Sequence, residues 1–323
     1  MEPWTDELWL ETAHEWIHDR LAKLGRAVTG PIEQPHVRPW ATAMRVPTDA
    51  GPVWFKANAP VLAHEAAVVS VIAGRRPDLV PELLAADLER GWMLMGDGGL
   101  RLREIVERER SLRRWLELLP LYAKLQIDLA RHADELVGVG APDRRLAVLA
   151  SQYEELLDHG VEGLPQGELR RLRGLTARVG EMCDQLAGYG LPETIQHDDL
   201  HDGQVFVRDG RYLFFDWGDA CVSHAFFTMA VTLEGQLAWG LDDVEGSEDI
   251  GPYRDAYLEP FTGYATRPEL KSAHIIALRL GWLCRALNVH RLALGLEPPV
   301  REQHLEGVVV RLRLFADGLL STR

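Results

Sequence analysis

Oxygen-bearing side chains gather around one short hairpin in the second half of the sequence. Asp199 and Gln204 precede a β-like run, and Asp216 follows the hairpin partner of that run. Side chains at such loop and strand-end positions can be aimed at a common point. Their carboxylate and amide oxygens suit Mg²⁺, which leaves coordination positions for phosphate oxygens and water. A carboxylate beside that ion could accept a proton from a substrate hydroxyl.

The hairpin itself is read from the runs 205–208 and 211–215, which Asp209 and Gly210 join as a tight two-residue turn. Long helical patterns surround it, with apolar residues at three- and four-residue steps. We predict helices over 112–136, 144–157, 167–186, 224–239, 249–261, 272–294 and 300–320.

The first part of the chain has a different pattern, with an amphipathic helix over 5–24 followed mostly by β-like runs. We predict strands over 27–33, 40–46, 53–57, 82–86 and 92–95, with one helix over 61–73. The sequence therefore predicts an α+β protein with a strand-rich first domain, residues 1–98, and a helical second domain, residues 99–323.

Composition excludes several classes of protein. The net charge of −14 at pH 7 argues against a broad nucleic-acid surface, which requires clustered Lys and Arg. The three cysteines form no CxxC pair and suggest no disulfide framework. The N-terminus lacks the pattern of a secretion signal, and no apolar stretch is long enough to span a membrane. We expect a cytoplasmic protein with a small-molecule partner, and without nucleic-acid or membrane partners.

The order of these motifs resembles the aminoglycoside phosphotransferase and choline kinase family. That family has a catalytic loop of the form H-x-D-x-x-x-x-N, then a hairpin and a metal-binding aspartate. His197, Asp199 and Gln204 occupy the loop positions, and Asp216 the later one. The resemblance implies a two-lobed protein-kinase-like fold with a small β-rich N-terminal lobe and a larger, mainly helical C-terminal lobe. It also implies transfer of phosphate from ATP or GTP to a small-molecule hydroxyl, with Mg²⁺.

By the same resemblance, Asp199 orients or deprotonates the acceptor hydroxyl, His197 braces the loop, and Gln204 and Asp216 hold Mg²⁺. Asp198 comes one residue too early in the pattern to be the base. Asp199 could instead cap the loop, since short turns use aspartate in this way. His201 fits either a second brace or a buried structural histidine.

Kinases of this general fold also use a strand lysine that contacts the nucleotide phosphates and pairs with a helix glutamate. Lys56 and Glu65 fit these positions. The alternatives are a snorkelling lysine on an edge strand and a glutamate on a solvated helix face. Met95 and Asp97 lie where the family's hinge would hold the adenine, although a methionine here could simply fill the core.

Three departures from the family pattern keep other functions open. Gln204 replaces the usual Asn, residues 30–38 contain no G-x-G-x-x-G, and Thr228 replaces a second acid. A degenerate pseudokinase that binds nucleotide or another ligand is therefore the first alternative. The second is a metal-dependent hydrolase in which His197, Asp199, His201 and Asp216 bind zinc or another transition metal.

The acceptor site is predicted from charge. Residues 231–260 contain eight acids and one arginine, among them Asp242, Asp243 and Glu248 as candidate substrate contacts. An acidic cleft would attract an amino sugar, an aminoglycoside or a choline-like amine. The alternative is a solvated surface. No anion clamp is predicted from Arg285 and Arg291, which we expect on different faces of one helix.

Overall fold

The computed structural model describes residues 3–320 of the chain. Met1 and Glu2, part of the segment judged to lack a secretion signal, lie outside the described residues. The strands are β1 (Glu33–Arg38), β2 (Ala41–Val46), β3 (Val53–Asn58), β4 (Leu83–Asp87), β5 (Trp92–Gly96), β6 (Leu100–Arg101), β7 (Asp143–Arg144), β8 (Glu193–Gln196), β9 (Val205–Arg208), β10 (Arg211–Phe214) and β11 (Cys221–His224).

The α-helices are α1 (Glu7–Lys23), α2 (Glu65–Arg75), α3 (Leu102–Glu109), α4 (Trp115–Leu129), α5 (Ala133–Gly138), α6 (Leu146–His159), α7 (Gln166–Arg173), α8 (Thr176–Ala187), α9 (Gly251–Leu258), α10 (Arg267–Leu294) and α11 (Val300–Leu320). Across residues 3–320, no helix has both the length and the apolar character needed to cross a bilayer.

The chain divides into two compact units. The first comprises the residues up to Leu100 together with Phe206–Gly218, and the second comprises Arg101–Val205 together with the residues from Asp219 onward. The predicted division between residues 98 and 99 left the β9–β10 hairpin in the second domain. The structure instead packs the hairpin within the first unit, where the Phe214 backbone N–H donates to the Leu79 carbonyl at 2.7 Å.

A five-stranded sheet of order β1-β2-β3-β5-β4 forms the body of the first unit. β3 lies in the middle and pairs antiparallel with both neighbours, so that Lys56 stands opposite Ala43 on β2 and Met93 on β5. Side chains alternate between the faces of a strand. Lys56 and Asn58 therefore point to one face of the sheet, and Phe55 points to the other.

The helix α1 covers the Phe55 face. Asp6 caps its first turn through a backbone N–H at 3.0 Å, and Gly25 follows its end with φ of +68°, a left-handed conformation that favours glycine. Trp16 of α1 and Trp92 of β5 meet Phe55 edge-to-face, with ring centroids 5.7 and 5.4 Å apart. This aromatic core fixes β3 in place, and with it the face that carries Lys56 and Asn58.

Helices dominate the second unit, around a small sheet of order β7-β11-β8. β8 pairs antiparallel with β11 and leads directly into the loop 197–204. The Gln126 amide of α4 donates to the carbonyls of Ile195 and Ala225 at 3.2 and 2.9 Å. Because backbone groups at the end of a small sheet need partners when buried, this glutamine anchors the strand that presents the loop.

The long helix α10 carries polar groups into the interior of the second unit. It begins with a capping box, in which the Glu269 carboxylate accepts from the Thr266 backbone N–H at 2.9 Å. Most of its central residues are buried, including Arg285 and Asn288, which are 6% and 1% exposed. Polar groups at such depth require partners, and theirs lie in the loop after β8.

Several predicted elements differ from the structure. The predicted strand 27–33 is wrong, because only Val28 makes an isolated bridge, to Thr48, and Pro31 lacks an N–H for a ladder. The predicted helix 167–186 is broken into α7 and α8 at Gly174. Residues 224–239 form 3₁₀ turns and a π-helical segment, Ala230–Gln236, rather than the predicted α-helix.

Candidate functional site

Lys56 lies in a buried ion-pair cluster of the first unit. Its Nζ is 2.7 Å from Glu65 Oε2 and 2.5 Å from Asp216 Oδ1. The side chains of Lys56 and Glu65 are 6% and 1% exposed, whereas that of Asp216 is 40% exposed. An ammonium group this deep is stable only when paired. Both surface alternatives are therefore wrong, since Lys56 is neither snorkelling nor on an edge strand and Glu65 is not solvated.

Glu65 is the centre of this cluster. It opens α2 and accepts hydrogen bonds from Asn58 Nδ2 at 2.6 Å and from the Trp217 backbone N–H at 2.9 Å, in addition to Lys56. A carboxylate in the first turn of a helix is also stabilised by the helix dipole. One buried side chain thus connects the central strand, the helix and the segment that follows the β9–β10 hairpin.

Electrostatics keep the ammonium group of this cluster charged. Burial opposes the charge on Lys56, but the Asp216 and Glu65 carboxylates outweigh burial and raise the pKa of the ammonium. Burial raises the pKa of Glu65 as well, while Lys56 acts in the opposite direction. Two carboxylates therefore hold one permanent cation in the interior of the first unit.

Asp216 has an unusual backbone. Its φ is +65°, and the left-handed region is uncommon for residues other than glycine. The residue follows β10, where the Phe215 ring packs against Phe206 with centroids 5.3 Å apart and the Lys56 ammonium lies 4.9 Å from the Phe215 ring centroid. The hairpin and these rings fix the strained turn that aims the Asp216 carboxylate at Lys56.

The second unit carries its own cluster of candidate residues, in the loop 197–204. Asp198, with φ of +64°, is buried and accepts from Gln196 Nε2 and Asn288 Nδ2, each at 2.9 Å. Its oxygens are therefore committed to the interior. Asp199 is 27% exposed, so of the two neighbouring carboxylates it is the one that can meet a substrate. This agrees with the choice of Asp199 over Asp198 from the sequence.

The two carboxylate oxygens of Asp199 have polar neighbours at different distances. Arg285 Nη2 donates to Oδ1 at 2.8 Å. Gln204 Nε2 is 3.5 Å from Oδ2, and His201 Nε2 is 3.7 Å from the same oxygen. Burial raises the pKa of Asp199, opposed chiefly by the positive charge of Arg285 and reinforced by Asp219.

His197 is fully buried at the start of the loop. Its backbone N–H donates to the Tyr122 hydroxyl at 2.8 Å, and that hydroxyl lies 3.0 Å from Thr228 Oγ1. Thr228 in turn donates to the Gln196 side-chain carbonyl at 2.7 Å. The threonine that replaces an acid of the family pattern thus belongs to a neutral network under the loop, and the bracing role of His197 stays a prediction.

His201 is oriented by its own loop. The Gly203 backbone N–H donates to Nδ1 at 3.0 Å, so a neutral ring carries its proton on Nε2, the atom nearer Asp199. A side chain at residue 203 would place Cβ 2.7 Å from His201 Cε1, which explains the glycine. Arg103 adds a further contact, 3.3 Å from Nδ1, and donates to Asp202 at 2.8 Å.

The donor chemistry of Gln204 and Asp216 fits Mg²⁺, since each supplies a side-chain oxygen and Asp216 is exposed enough to reach a bound ion. A zinc site built on the histidines has no such support. Among residues 3–320, no three His, Cys, Asp or Glu side chains are grouped as a metal site. The metal roles of Gln204 and Asp216 stay predictions.

The predicted hinge residues occupy structural positions. Met95 is 2% exposed and pairs with Trp54 on one side and Leu83 on the other. Asp97 accepts from Trp54 Nε1 at 3.0 Å, and its carbonyl accepts from Arg208. These contacts hold Met95 and Asp97 within the first unit, while a nucleotide contact stays a prediction.

The predicted substrate acids lie in an exposed segment. Asp242 is paired with Arg110 at 2.7 Å, and Glu248 accepts from the Tyr253 hydroxyl at 2.8 Å. Asp243 is exposed in a turn with φ of +56°. This arrangement agrees with a solvated surface, so the substrate role of the three acids stays a prediction without support from their contacts.

Sequence reasoning assigned no role to Arg285, which it considered only as part of an anion clamp, and it did not single out Asp219 or Asn288. Arg285 Nη1 donates to Asp219 Oδ2 at 2.9 Å and to Asp198 Oδ2 at 3.2 Å, so one guanidinium contacts three aspartates of the second unit. A signal was present, since Arg285 interrupts the otherwise apolar run 280–287. An arginine in a buried helix is nearly always paired.

The sequence model of the phosphotransferase enzyme family, APH, matches residues 36–270. An ethanolamine kinase from Plasmodium vivax is similar in structure, with 13% identity, a TM-score of 0.62 and coverage of 97% of this chain and 91% of that chain. A choline/ethanolamine kinase family protein from Mesorhizobium loti has 18% identity, a TM-score of 0.60 and coverage of 96% and 99%.

The GDP complex of an aminoglycoside 2'-phosphotransferase-IIIa is also similar, with 14% identity, a TM-score of 0.60 and coverage of 96% and 99%. A comparison with curated protein sequences gives no significant match. At these identities the structural likeness shows the fold. The predicted two-lobed protein-kinase-like fold is confirmed.

Proposed function

Because the chain belongs to the phosphotransferase enzyme family, we propose that it transfers the terminal phosphoryl group of ATP or GTP to a hydroxyl of a small molecule. The observation that carries this proposal is the buried Lys56–Glu65 pair with Asp216 beside it, joined at 2.7 and 2.5 Å. A point charge on a rigid central strand suits the α and β phosphates of a nucleotide. Nucleotide-bound relatives of the same fold support the choice of donor.

The transfer needs few covalent steps by the protein. The acceptor oxygen forms a bond to the γ-phosphorus while the bond from that phosphorus to the bridging oxygen breaks, and the nucleoside diphosphate leaves. The hydroxyl proton passes to Asp199. Because the transition state is loose, catalysis consists mainly of positioning and charge stabilisation. Lys56 stabilises charge on the nucleotide phosphates, and Asp199 orients the hydroxyl.

Gln204 and Asp216 would hold the metal in this reaction, because the motif order and the oxygen atoms of both side chains suit Mg²⁺. Mg²⁺ neutralises charge on the transferred phosphate when bound. His197, buried at the start of the loop, keeps Asp199 in position. Met95 and Asp97 are assigned to the purine side of the nucleotide through the rigid end of β5.

The acceptor class follows from the relatives and from the charge of the chain. The relatives of the same fold include an ethanolamine kinase, a macrolide 2'-phosphotransferase and an aminoglycoside 2'-phosphotransferase. All of these names imply hydroxylated acceptors, and two imply amines. With a net charge of −14 this chain favours cationic acceptors at long range. We assign the reaction to the cytoplasm, in line with three free cysteines.

The test is turnover of Asp199→Ala and Asp199→Asn with ATP and Mg²⁺. The acceptor panel is ethanolamine, choline, an aminoglycoside and a macrolide, and phosphorylated product is detected by mass spectrometry. Wild-type protein should yield product with at least one acceptor. Both variants should lose ~10²–10⁴-fold in kcat while nucleotide affinity stays unchanged. Turnover retained in Asp199→Ala would remove Asp199 from the reaction.

A nucleotide-binding pseudokinase is the second candidate, favoured by Gln204 in place of asparagine. Thermal shift with ATP and Mg²⁺ separates the two functions, since both predict stabilisation by bound nucleotide but only the first predicts product. Stabilisation without nucleotide consumption across the whole panel would establish the pseudokinase.

A further inference from the structure

One arginine connects three aspartates next to the proposed reaction centre. Arg285 Nη2 is 2.8 Å from Asp199 Oδ1, and Nη1 is 2.9 Å from Asp219 Oδ2 and 3.2 Å from Asp198 Oδ2. The guanidinium is planar and presents its donors in a fixed fork. Fixing Nη1 on two carboxylates therefore fixes the direction in which Nη2 points.

The anchor of this fork is rigid. The Arg285 side chain is 7% exposed and stands on the buried part of α10. Asn288, almost one turn further along the same helix, donates to Asp198 Oδ2 at 2.9 Å. Asp198 also receives Gln196 Nε2 at 2.9 Å, so it cannot rotate away from the arginine without losing several hydrogen bonds.

We propose that Arg285 is a positioning residue that occupies Oδ1 of Asp199 and thereby presents Oδ2 to the acceptor hydroxyl. The inference rests on the proposed function, because it assumes that Asp199 meets the acceptor. It assigns different tasks to the two carboxylate oxygens. Oδ1 is bound within the protein, and Oδ2 receives the proton.

The contacts of Oδ2 agree with this division. Its neighbours Gln204 Nε2 and His201 Nε2 are 3.5 and 3.7 Å away, at or beyond the limit of a hydrogen bond. A hydroxyl that approaches Oδ2 therefore replaces only weak contacts. The charge-assisted bond to Oδ1 is short and persists, because a guanidinium does not release its proton in proteins.

The first test compares Arg285→Met and Arg285→Lys with the wild-type protein. Methionine removes the fork, and we expect kcat to fall ~10²-fold, since a displacement of about 1 Å at the reacting group has this effect. The KM values for nucleotide and for the acceptor found in the panel should change by less than about threefold, because ground-state contacts remain. Lysine keeps the charge without the fork, so kcat should recover only in part.

Loss of charge balance is the competing explanation, because Arg285→Met leaves Asp198, Asp199 and Asp219 without their shared cation. The double variant Asp219→Asn/Arg285→Met removes one of those negative charges. If Arg285 only balances charge, the double variant recovers both thermal stability and kcat. If Arg285 positions Asp199, it recovers stability and kcat stays ~10²-fold low. Recovery of both would overturn the proposal.

Arg279→Met is the matched control, because Arg279 stands on the same helix and pairs with Glu234 at 2.5 Å without contacting Asp199. Its kcat should stay within about threefold of wild type. The proposal would also be overturned if Arg285→Met and the double variant both had the same kcat as Arg279→Met. Failure of the proposed function is distinguishable, since the wild-type protein would then give no product with any acceptor of the panel, whereas retained turnover in Asp199→Ala would remove only the premise that Asp199 meets the acceptor. Loss in Asp199→Ala together with full turnover in the Arg285 variants refutes only the positioning role.

Discussion

Each of the two units buries a cation among carboxylates, and the two cations behave in opposite ways. In the first unit Lys56 lies between buried Glu65 and half-exposed Asp216. In the second, Arg285 joins three aspartates of the loop region. An ammonium is a compact charge on a flexible stem, whereas a guanidinium fixes direction. We therefore expect Lys56 to exchange Asp216 for a phosphate oxygen while keeping Glu65, and Arg285 to keep its three aspartate partners.

The largest effect is expected from removing the ammonium group of Lys56, the cation whose partner can change. Lys56→Met should lower kcat/KM for ATP by ~10²–10³-fold, because one preorganised electrostatic contact to the α and β phosphates is lost. It should also destabilise the protein by about 3–5 kcal/mol, since Glu65 is left buried without its cation. Steady-state kinetics and urea denaturation measure the two effects.

Lys23→Met provides the control for that variant, because Lys23 makes an exposed pair with Asp19 in α1. It should leave turnover and stability near the wild-type values. If Lys56→Met had wild-type kcat/KM for ATP, Lys56 would be a structural residue and the comparison between the two cations would not hold.

Acid should affect the second unit more than the first. Burial lowers the pKa of His224 and of His274 to about 3. A lowered folded-state pKa means that the unfolded chain binds more protons, so stability is present above the ordinary value of 6.5 and is lost as the pH falls from there towards 3. Each histidine should contribute a slope of about 1.4 kcal/mol per pH unit inside that window.

Urea denaturation between pH 7 and pH 4 measures this slope. His274→Leu should reduce the slope of the unfolding free energy against pH by about 1.4 kcal/mol per pH unit, because one of the two buried imidazoles is gone. An unchanged slope in that variant would show that other groups control the acid response. Hydrogen exchange at pH 5 should then show where opening begins, and we expect the helices around His274.

A smaller effect is expected at Gln204. Restoring the family residue with Gln204→Asn should change the Mg²⁺ concentration for half-maximal turnover by about tenfold or less, because the amide oxygen is kept and one methylene is removed. Gln204→Leu should raise that concentration further, and EDTA should abolish turnover. Manganese binding in the presence of a non-hydrolysable ATP analogue, followed by EPR, reports on the site without turnover. Identical binding in all three proteins would exclude Gln204 as a ligand.

The smallest effect is expected at the exposed acids. Asp242 pairs with Arg110 at 2.7 Å in a segment open to water. The double variant Asp242→Asn/Asp243→Asn should therefore change stability by less than about 0.5 kcal/mol and leave the acceptor KM within about twofold. An acceptor KM raised tenfold or more would instead support the predicted substrate role.

The parts of the site that depend on local pattern could be predicted from the sequence. The loop from His197 to Gln204 and the later Asp216 were identified by their resemblance to the family's motifs in order and spacing. Lys56 was identified as the strand lysine that kinases of this fold use, from its place in an apolar strand. Glu65 could be assigned as its partner because a helix follows that strand. Met95 and Asp97 were placed at the end of β5, but their contacts depend on strand pairing.

Arg285 and Asp219 could not be assigned in the same way. Arg285 is 86 residues from Asp199 along the chain, and its partners depend on how α10 packs against the loop. Helical periodicity indicates which residues share a face, but it does not say what that face meets. The sequence could not place the β9–β10 hairpin in the first unit for the same reason, since the Phe214 backbone N–H donates to the Leu79 carbonyl, far earlier in the sequence.

By itself, the sequence determined the chemistry available to this protein: an aspartate loop, a strand lysine, and oxygen donors suited to magnesium. Only the tertiary structure decided which of the adjacent carboxylates is buried, Asp198 or Asp199, and which cation each one meets. The physical reason is that burial and pairing of charge are properties of the packed interior, where the cost of an unpaired charge selects partners that lie far apart along the chain.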